Sequence, residues 1–252
     1  MAVLLLSTAT NLKGNKIMYE EEKCDPELGK KVFEHLKSKG YLTMETGAPF
    51  DRDAKIAEMK KVVSNMINVM GLNPDDPQLI ETPKRVAKMW VDELMGGLDW
   101  SKFPKMTTFP EGKSTIGSFV IEKNAPIVSV CAHHFKNFFG LKGSDGHVDF
   151  GPAATIAYIP NGRIAGISKF PRLTKFLSAR PSNQEELCNM IRETLAFILE
   201  TEDVAVYMEC YHTCQTLRGV KSNGSMVVLS ASGKFLTDST IRSEFLAIAR
   251  EK

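Results

Sequence analysis

Two short stretches hold the side chains best suited to chemistry: Cys131-Ala132-His133-His134 and, far downstream, His212-Thr213-Cys214. Thiols and imidazoles are the ligand types that bind zinc at neutral pH. Any three of Cys131, His133, His134, His212 and Cys214 can ligate one ion. A structural zinc site is closed by four protein ligands, whereas three ligands plus water leave the open position that hydrolysis needs. The count therefore leans towards catalysis. A Cys on an apolar strand can equally be a small buried hydrophobe, so the surroundings matter. Pro126-Ile127-Val128-Ser129-Val130-Cys131 reads as a buried strand ending at the thiol, and Val204 to His212 as a second strand delivering an imidazole. Ligands at strand ends sit on rigid supports.

The 252 residues are enough for a real core in one domain or two, and the 43% hydrophobic and 25% charged composition is that of an ordinary globular protein. A net charge of +2 gives no reason to expect nucleic acid or an anionic membrane. Local clusters of cations can still meet a phosphorylated small molecule. Five cysteines, an odd count without a dense framework, indicate reduced thiols and a cytoplasmic setting. The apolar run Val3-Leu4-Leu5-Leu6 lacks a basic region before it and is too short for a signal core or a membrane span, so residues 1–24 read as a flexible leader.

Residues 25–104 read as a helical region. Asp25-Pro26 opens a helix with Leu28, Val32, Phe33 and Leu36 on one face, closed by Gly40. Asp53 is the expected cap of a second, in which Met59, Val62, Val63, Met66, Ile67 and Met70 form a core or helix-packing face. Thr82-Pro83 starts a third, with Val86, Met89, Trp90 and Leu94 together. Lys84, Arg85 and Lys88 then form a solvated face, on the plainest reading.

From 105 to 252 the order is strand-rich. Residues 117–122 and 126–131 read as a hairpin, 135–152 as a loop with glycines at 140, 143, 146 and 151, and 153–160 as the next strand. Ser168 is the expected cap of a helix carrying Leu173, Phe176 and Leu177, and Ser182-Asn183-Gln184-Glu185 is a capping-box pattern before a longer one. Residues 225–232 make a last strand, and Asp238 starts a closing helix. Two antiparallel helices across one face of an antiparallel sheet make an α+β layer architecture.

With these pieces in order, the chain resembles the GTP cyclohydrolase I family. The resemblance is carried by Thr82 to Met89, Cys131-Ala132-His133-His134, Ala157-Tyr158-Ile159-Pro160 and Gly166-Ile167-Ser168-Lys169. It continues through Arg180 to Glu185, His212-Thr213-Cys214, Arg218-Gly219-Val220 and Arg242 to Leu246. It implies a T-fold, a four-stranded antiparallel sheet with paired helices on one face, preceded by the helical region. It also implies a homodecamer of two pentameric rings with active sites at subunit interfaces, and conversion of GTP to 7,8-dihydroneopterin triphosphate and formate. By the same resemblance Cys131, His134 and Cys214 ligate zinc, His133 and His212 act as acid–base groups, and Ser168 assists ribose opening. Gln184 and Glu185 recognise the guanine edge, and Arg85, Lys88, Lys169, Arg172 and Arg218 meet the triphosphate. Ala132 departs from the Glu common at that place in the family. Rival readings are a related cyclohydrolase using another metal such as Fe(II) or stopping at an earlier product, and a catalytically silent homologue. A zinc-binding nucleic-acid module is the weakest, for want of a second Cys/His cluster or a basic stripe.

Overall fold

A computed structural model describes residues 20–112, 119–144 and 147–251. Three helices come first: α1 (Pro26–Ser38), α2 (Arg52–Val69) and α3 (Thr82–Lys88), the last running on as a π-helical turn over Met89–Leu94. The strands β1 (Thr108–Pro110), β2 (Val120–Pro126), β3 (Val128–Cys131), β4 (Lys136–Phe139), β5 (Leu141–Ser144), β6 (His147–Phe150), β7 (Pro152–Tyr158) and β8 (Arg163–Ala165) follow. Then come α4 (Lys169–Ser178), β9 (Pro181–Ser182), α5 (Gln184–Leu199), β10 (Val204–His212), α6 (Thr213–Thr216), β11 (Met226–Ala231), α7 (Lys234–Thr237) and α8 (Ser239–Arg250).

The centre is the antiparallel run β2-β7-β10-β11. β10 outlasts β7, and its final residues Tyr211 and His212 pair with Phe139 and Phe138 of β4. β4 in turn pairs antiparallel with β3, and β9 lies parallel on β3. Along β10 the side chains alternate between two faces. Val206 and Met208 join Ile156, Leu173, Phe176, Leu187, Ile191 and Leu195 beneath α4 and α5, while Ala205 and Tyr207 join Phe235 and Phe245 on the other side. Both faces are therefore covered, and the α+β reading holds. Val32 and Leu36 of α1 and Phe103 belong to the larger core, so the helical region and the sheet share one interior.

The fit of α5 on the sheet has a repeat. Gln184 donates to the Met208 and Met226 carbonyls, Cys188 to the Val206 carbonyl at 3.4 Å and more weakly to that of Val228, and Arg192 to the Ser230 hydroxyl. Four residues of helix advance about 6 Å, and two residues of strand about 6.8 Å. One ridge of α5 thus stays in step with the β10–β11 seam.

Arg180, just beyond α4, is 1% exposed. It donates to the Glu45 carboxylate and the Gly97 and Phe176 carbonyls, and its guanidinium stacks on the Trp100 ring at 4.6 Å. Glu45 also accepts from the Trp100 indole N–H at 2.8 Å. The next residues, Pro181 and Ser182, are the strand that holds Val130 and Cys131.

Several expectations need correction. Asp51, not Asp53, caps α2 by accepting from the Ala54 N–H. Of the α2 apolar residues only Val63 and Ile67 are buried; Val62, Met66, Val69 and Met70 face outward. Thr82 lies inside α3, and Ala87 and Val91 are buried rather than Met89, because the chain widens into the π turn there. The hairpin does not form: β2 pairs with β7 and β3 with β4. Residues 117–118 and 1–19 lie outside the described residues. The expected loop at 135–152 is largely strand, β4 to β6. Gly140 is needed there for close approach rather than for a turn, since a Cβ at that position would lie 2.1 Å from the Pro152 carbonyl oxygen. Asn183, one residue after Ser182, caps α5 through the Glu186 N–H, and Ser168 makes no side-chain cap to α4. Among the described residues no helix is long and apolar enough to cross a membrane.

Candidate active site

β4 assembles the site, because it is the strand hydrogen-bonded to both β3 and β10. It sets Cys131, the last residue of β3, beside His212, the last residue of β10. After Cys131 the chain turns sharply, with the Phe135 N–H donating to the Cys131 carbonyl at 2.9 Å and Phe135 in the left-handed region at φ 49°. The turn is fixed at both sides. The Ala132 N–H donates to the Ser182 carbonyl, and the Phe135 ring meets Trp90 edge-on at 5.7 Å. On the other arm the Thr213 hydroxyl donates to the Asn137 carbonyl at 2.8 Å, which seats the short α6 carrying Cys214.

Ligand atoms of Cys131, His212 and Cys214 lie within 4.8 Å of one another. The two Sγ atoms are 3.9 Å apart. A disulfide needs about 2.05 Å, so the thiols are free. Two sulfurs at about 2.3 Å from one tetrahedral ion stand about 3.8 Å apart, close to the spacing observed. The donor set therefore fits a thiolate- and imidazole-binding metal. Burial, reinforced by the neighbouring Cys131 thiol, pushes the Cys214 thiol up from its ordinary value.

His212 is held from two directions. Its ring stacks on Phe138 at 4.6 Å with an 8° interplanar angle, and its Nε2 lies 2.9 Å from Gln184 Oε1. Burial is the main cause that lowers its pKa, the His133 charge adds to it, and the Glu185 carboxylate opposes it. The imidazole is therefore neutral at pH 7, the form that can accept a proton or a metal.

The remaining sequence-derived candidates fall as follows. His133 is exposed with Nδ1 3.5 Å from Cys131 Sγ, and His134, also exposed, is not among the three converging ligands. His212 occupies that third place. Gln184 is wholly buried: its amide N–H groups go to Met208 and Met226, and its oxygen to His212. Both its amide protons are thus engaged within the protein, whereas Glu185 at the first turn of α5 is exposed. Ser168 is exposed just before α4, with Lys169 and Arg172 half-buried in its first turn. Arg218 follows α6 and lines, with Lys136, Asn137 and Thr213, a cavity of about 470 Å³. Arg85 is exposed and Lys88 half-buried on α3, whose continuation brings Trp90 to the 131–135 turn. Sequence reasoning passed over Phe138 and Lys136, which lay in the segment read as loop; the adjacent aromatics Phe138-Phe139, of strand-favouring type, were the local signal.

A thiol–imidazole cluster at the strand ends of an α+β sheet is a donor set that could hold a metal ion, as in a metal-dependent enzyme. Comparison with known proteins gives the family: the GTP cyclohydrolase I profile matches residues 59–250. The chain is 37% identical to GTP cyclohydrolase 1 of Haemophilus ducreyi over 86% of its length and 94% of that protein. It is also 37% identical to GTP cyclohydrolase 1 of Pasteurella multocida, over 90% and 98%, and 35% identical to that of Edwardsiella ictaluri, over 87% and 94%. The chain belongs to the GTP cyclohydrolase I family.

Proposed function

We propose that this protein converts GTP and water to 7,8-dihydroneopterin triphosphate and formate, with residues 105–252 as a T-fold catalytic domain. The observation that carries the reading is the convergence of two free thiols with a half-buried, oriented neutral imidazole on adjoining strand ends. Cys131, Cys214 and His134 would hold zinc. Bound there, the ion would supply Lewis acidity, lowering the pKa of a water molecule to about 7. His212, with Nε2–H given to Gln184, exchanges a proton with guanine N7 through Nδ1, and His133 is the second proton-transfer group. Glu185 accepts hydrogen bonds from guanine N1–H and the 2-amino group. Arg218, Lys169, Arg172, Arg85 and Lys88 engage the triphosphate, for which bidentate Arg and point-charge Lys are suited. Ser168 assists ribose opening.

A second ligand set, Cys131, His212 and Cys214, is favoured by the convergence itself. Zinc content separates the two. With His134 as ligand, His134→Ala loses zinc, while His212→Ala keeps zinc and loses about a hundred-fold or more in turnover; the reverse pattern of zinc loss selects His212. The reaction is tested by formate release from GTP and a fluorescent pterin after oxidation, before and after zinc removal and restoration. Neither product from a zinc-loaded protein would refute the proposal.

The assembly is a homodecamer in the cytoplasm. Two features support association: the outward apolar face of α2, where Val69 is 75% exposed, and the outer edges of β2 and β11, which have no strand partner among the described residues. Ring closure removes such edges.

A further inference from the structure

We infer that Gln184 is a positioning residue that fixes the tautomer of His212, not a reader of the purine. The starting point is the orientation of its amide. Gln184 is 0% exposed, and its Nε2 lies 3.0 Å from the Met208 carbonyl oxygen and 2.9 Å from that of Met226. Two carbonyls accept and cannot donate, so the NH₂ group must face them. A flipped amide would set its oxygen against two others, forfeiting two hydrogen bonds for the single one its NH₂ group could give His212. Oε1 is therefore the atom that faces His212 at 2.9 Å, and an amide oxygen only accepts. The proton in that bond belongs to His212 Nε2. In the neutral ring this leaves Nδ1 as the one lone pair. Stacking on Phe138 with an 8° interplanar angle fixes the ring plane, and a half turn within that plane would take Nε2 away from Oε1.

The logic is that of a base whose far nitrogen is tied by a buried acceptor, as the carboxylate ties the histidine of a Ser-His-Asp triad. Here the acceptor is neutral, so it orients the imidazole without raising its affinity for a proton as a carboxylate would. The chain of control runs from sheet to site: the β10 and β11 carbonyls set the amide, the amide sets the tautomer, and the tautomer decides which nitrogen is offered to the reacting partner. The kinetic part of this inference rests on the cyclohydrolase reading; the tautomer part does not.

The test begins with zinc-free protein labelled with ¹⁵N-histidine, His212 being assigned by its loss in His212→Asn. Long-range ¹H–¹⁵N correlation is expected to show His212 as a single Nε2–H tautomer. In Gln184→Met, which keeps the length and removes the acceptor, the ring should average between tautomers. Gln184→Glu, its carboxyl group protonated against the two carbonyls, should keep the Nε2–H form. In the zinc-loaded enzyme Gln184→Met should lose about a hundred-fold in kcat with KM for GTP unchanged within about two-fold, and Gln184→Glu should restore most of it. An Nδ1–H or averaged ring in the unaltered chain overturns the inference, and that measurement needs no turnover. So does a raised KM at unchanged kcat, the pattern of a lost guanine contact.

Discussion

Glu45→Gln isolates the worth of the ion pair that joins the helical region to the segment between α4 and β9. Arg180 is 1% exposed at its side chain and Glu45 10%, so neither charge is solvated in the native state. Breaking such a pair by removing one partner costs about 3–5 kcal/mol, because the other charge stays buried and uncompensated. Gln at 45 offers one oxygen where Glu offers two, so either the Trp100 indole N–H or the guanidinium faces its NH₂ group; Arg180 keeps the Gly97 and Phe176 carbonyls, so the expected loss is at least the low end of that range, about 3 kcal/mol. For a chain of this size each kcal/mol moves Tm by about 2–4 °C, so the shift should be about 6–12 °C. The exposed pair Lys61–Glu58, with side chains 72% and 69% accessible, is the control, and Glu58→Gln should change stability by no more than about 0.5 kcal/mol. Denaturant melts at fixed protein concentration, followed by Trp fluorescence, give both numbers. Removing both charges in Glu45→Gln/Arg180→Met should recover part of the loss, so the double-mutant cycle should show a coupling of about 2 kcal/mol. A single variant within about 0.5 kcal/mol of the unaltered chain, or additive effects in the cycle, would refute the view that burial makes this pair structural.

Gly29→Ala should destabilise although it lies within α1: the helix gains about 1 kcal/mol from propensity, but the new Cβ would meet the Trp100 carbonyl oxygen at 2.3 Å, and overpacking of that kind costs about 1–3 kcal/mol. A raised Tm would contradict this. Burial pushes the Cys188 thiol up to about 12 and raises Cys210 as well. A raised pKa favours the neutral thiol, so at pH 8 only about one Cys188 in ten thousand is thiolate. Both should resist a maleimide in the native protein and react on unfolding, and rapid native labelling mapped by mass spectrometry would count against it. Met66→Glu/Val69→Glu on the outward face of α2 should shift the assembly to smaller species by light scattering; an unchanged mass would remove α2 from the interface.

The elements whose signal is local were legible. Val204–His212 is a strand at the expected bounds because its nine residues pack on both faces, and Asp25-Pro26 starts α1 because cap and proline act within one turn. Partner choice was not legible: an alternating pattern gives a strand but not its neighbour, so β2 and β3 looked like a hairpin although each pairs elsewhere. The segment 135–152 was misread because glycine serves two ends, and at Gly140 it permits a close backbone approach. That mistake hid β4, the strand that unites Cys131 with His212. Cys131 and Cys214 could be read from type and spacing, and the structure sets them 3.9 Å apart. Gln184 was named by resemblance as a guanine contact, but its buried bonds could not be read, since its surroundings are carbonyls that any sequence supplies.

The register between α5 and the β10–β11 seam makes the depth of the site a matter of counting. Helix and strand steps differ by less than about 1 Å per repeat, so they agree over Gln184 and Cys188 and by Arg192 need a long side chain meeting a serine hydroxyl to stay joined. Adding or deleting one residue between Gln184 and Arg192 would turn the ridge by about 100°, and doing so between Val204 and Met208 would swap the faces of the strand. Either change would disconnect Gln184 from His212 without touching a residue of the metal centre. Beyond Arg192 the two elements no longer need to agree. Length variation that leaves the chemistry intact therefore belongs at the far end of α5, in the turn from Glu200 to Asp203, and not at the end that carries the glutamine.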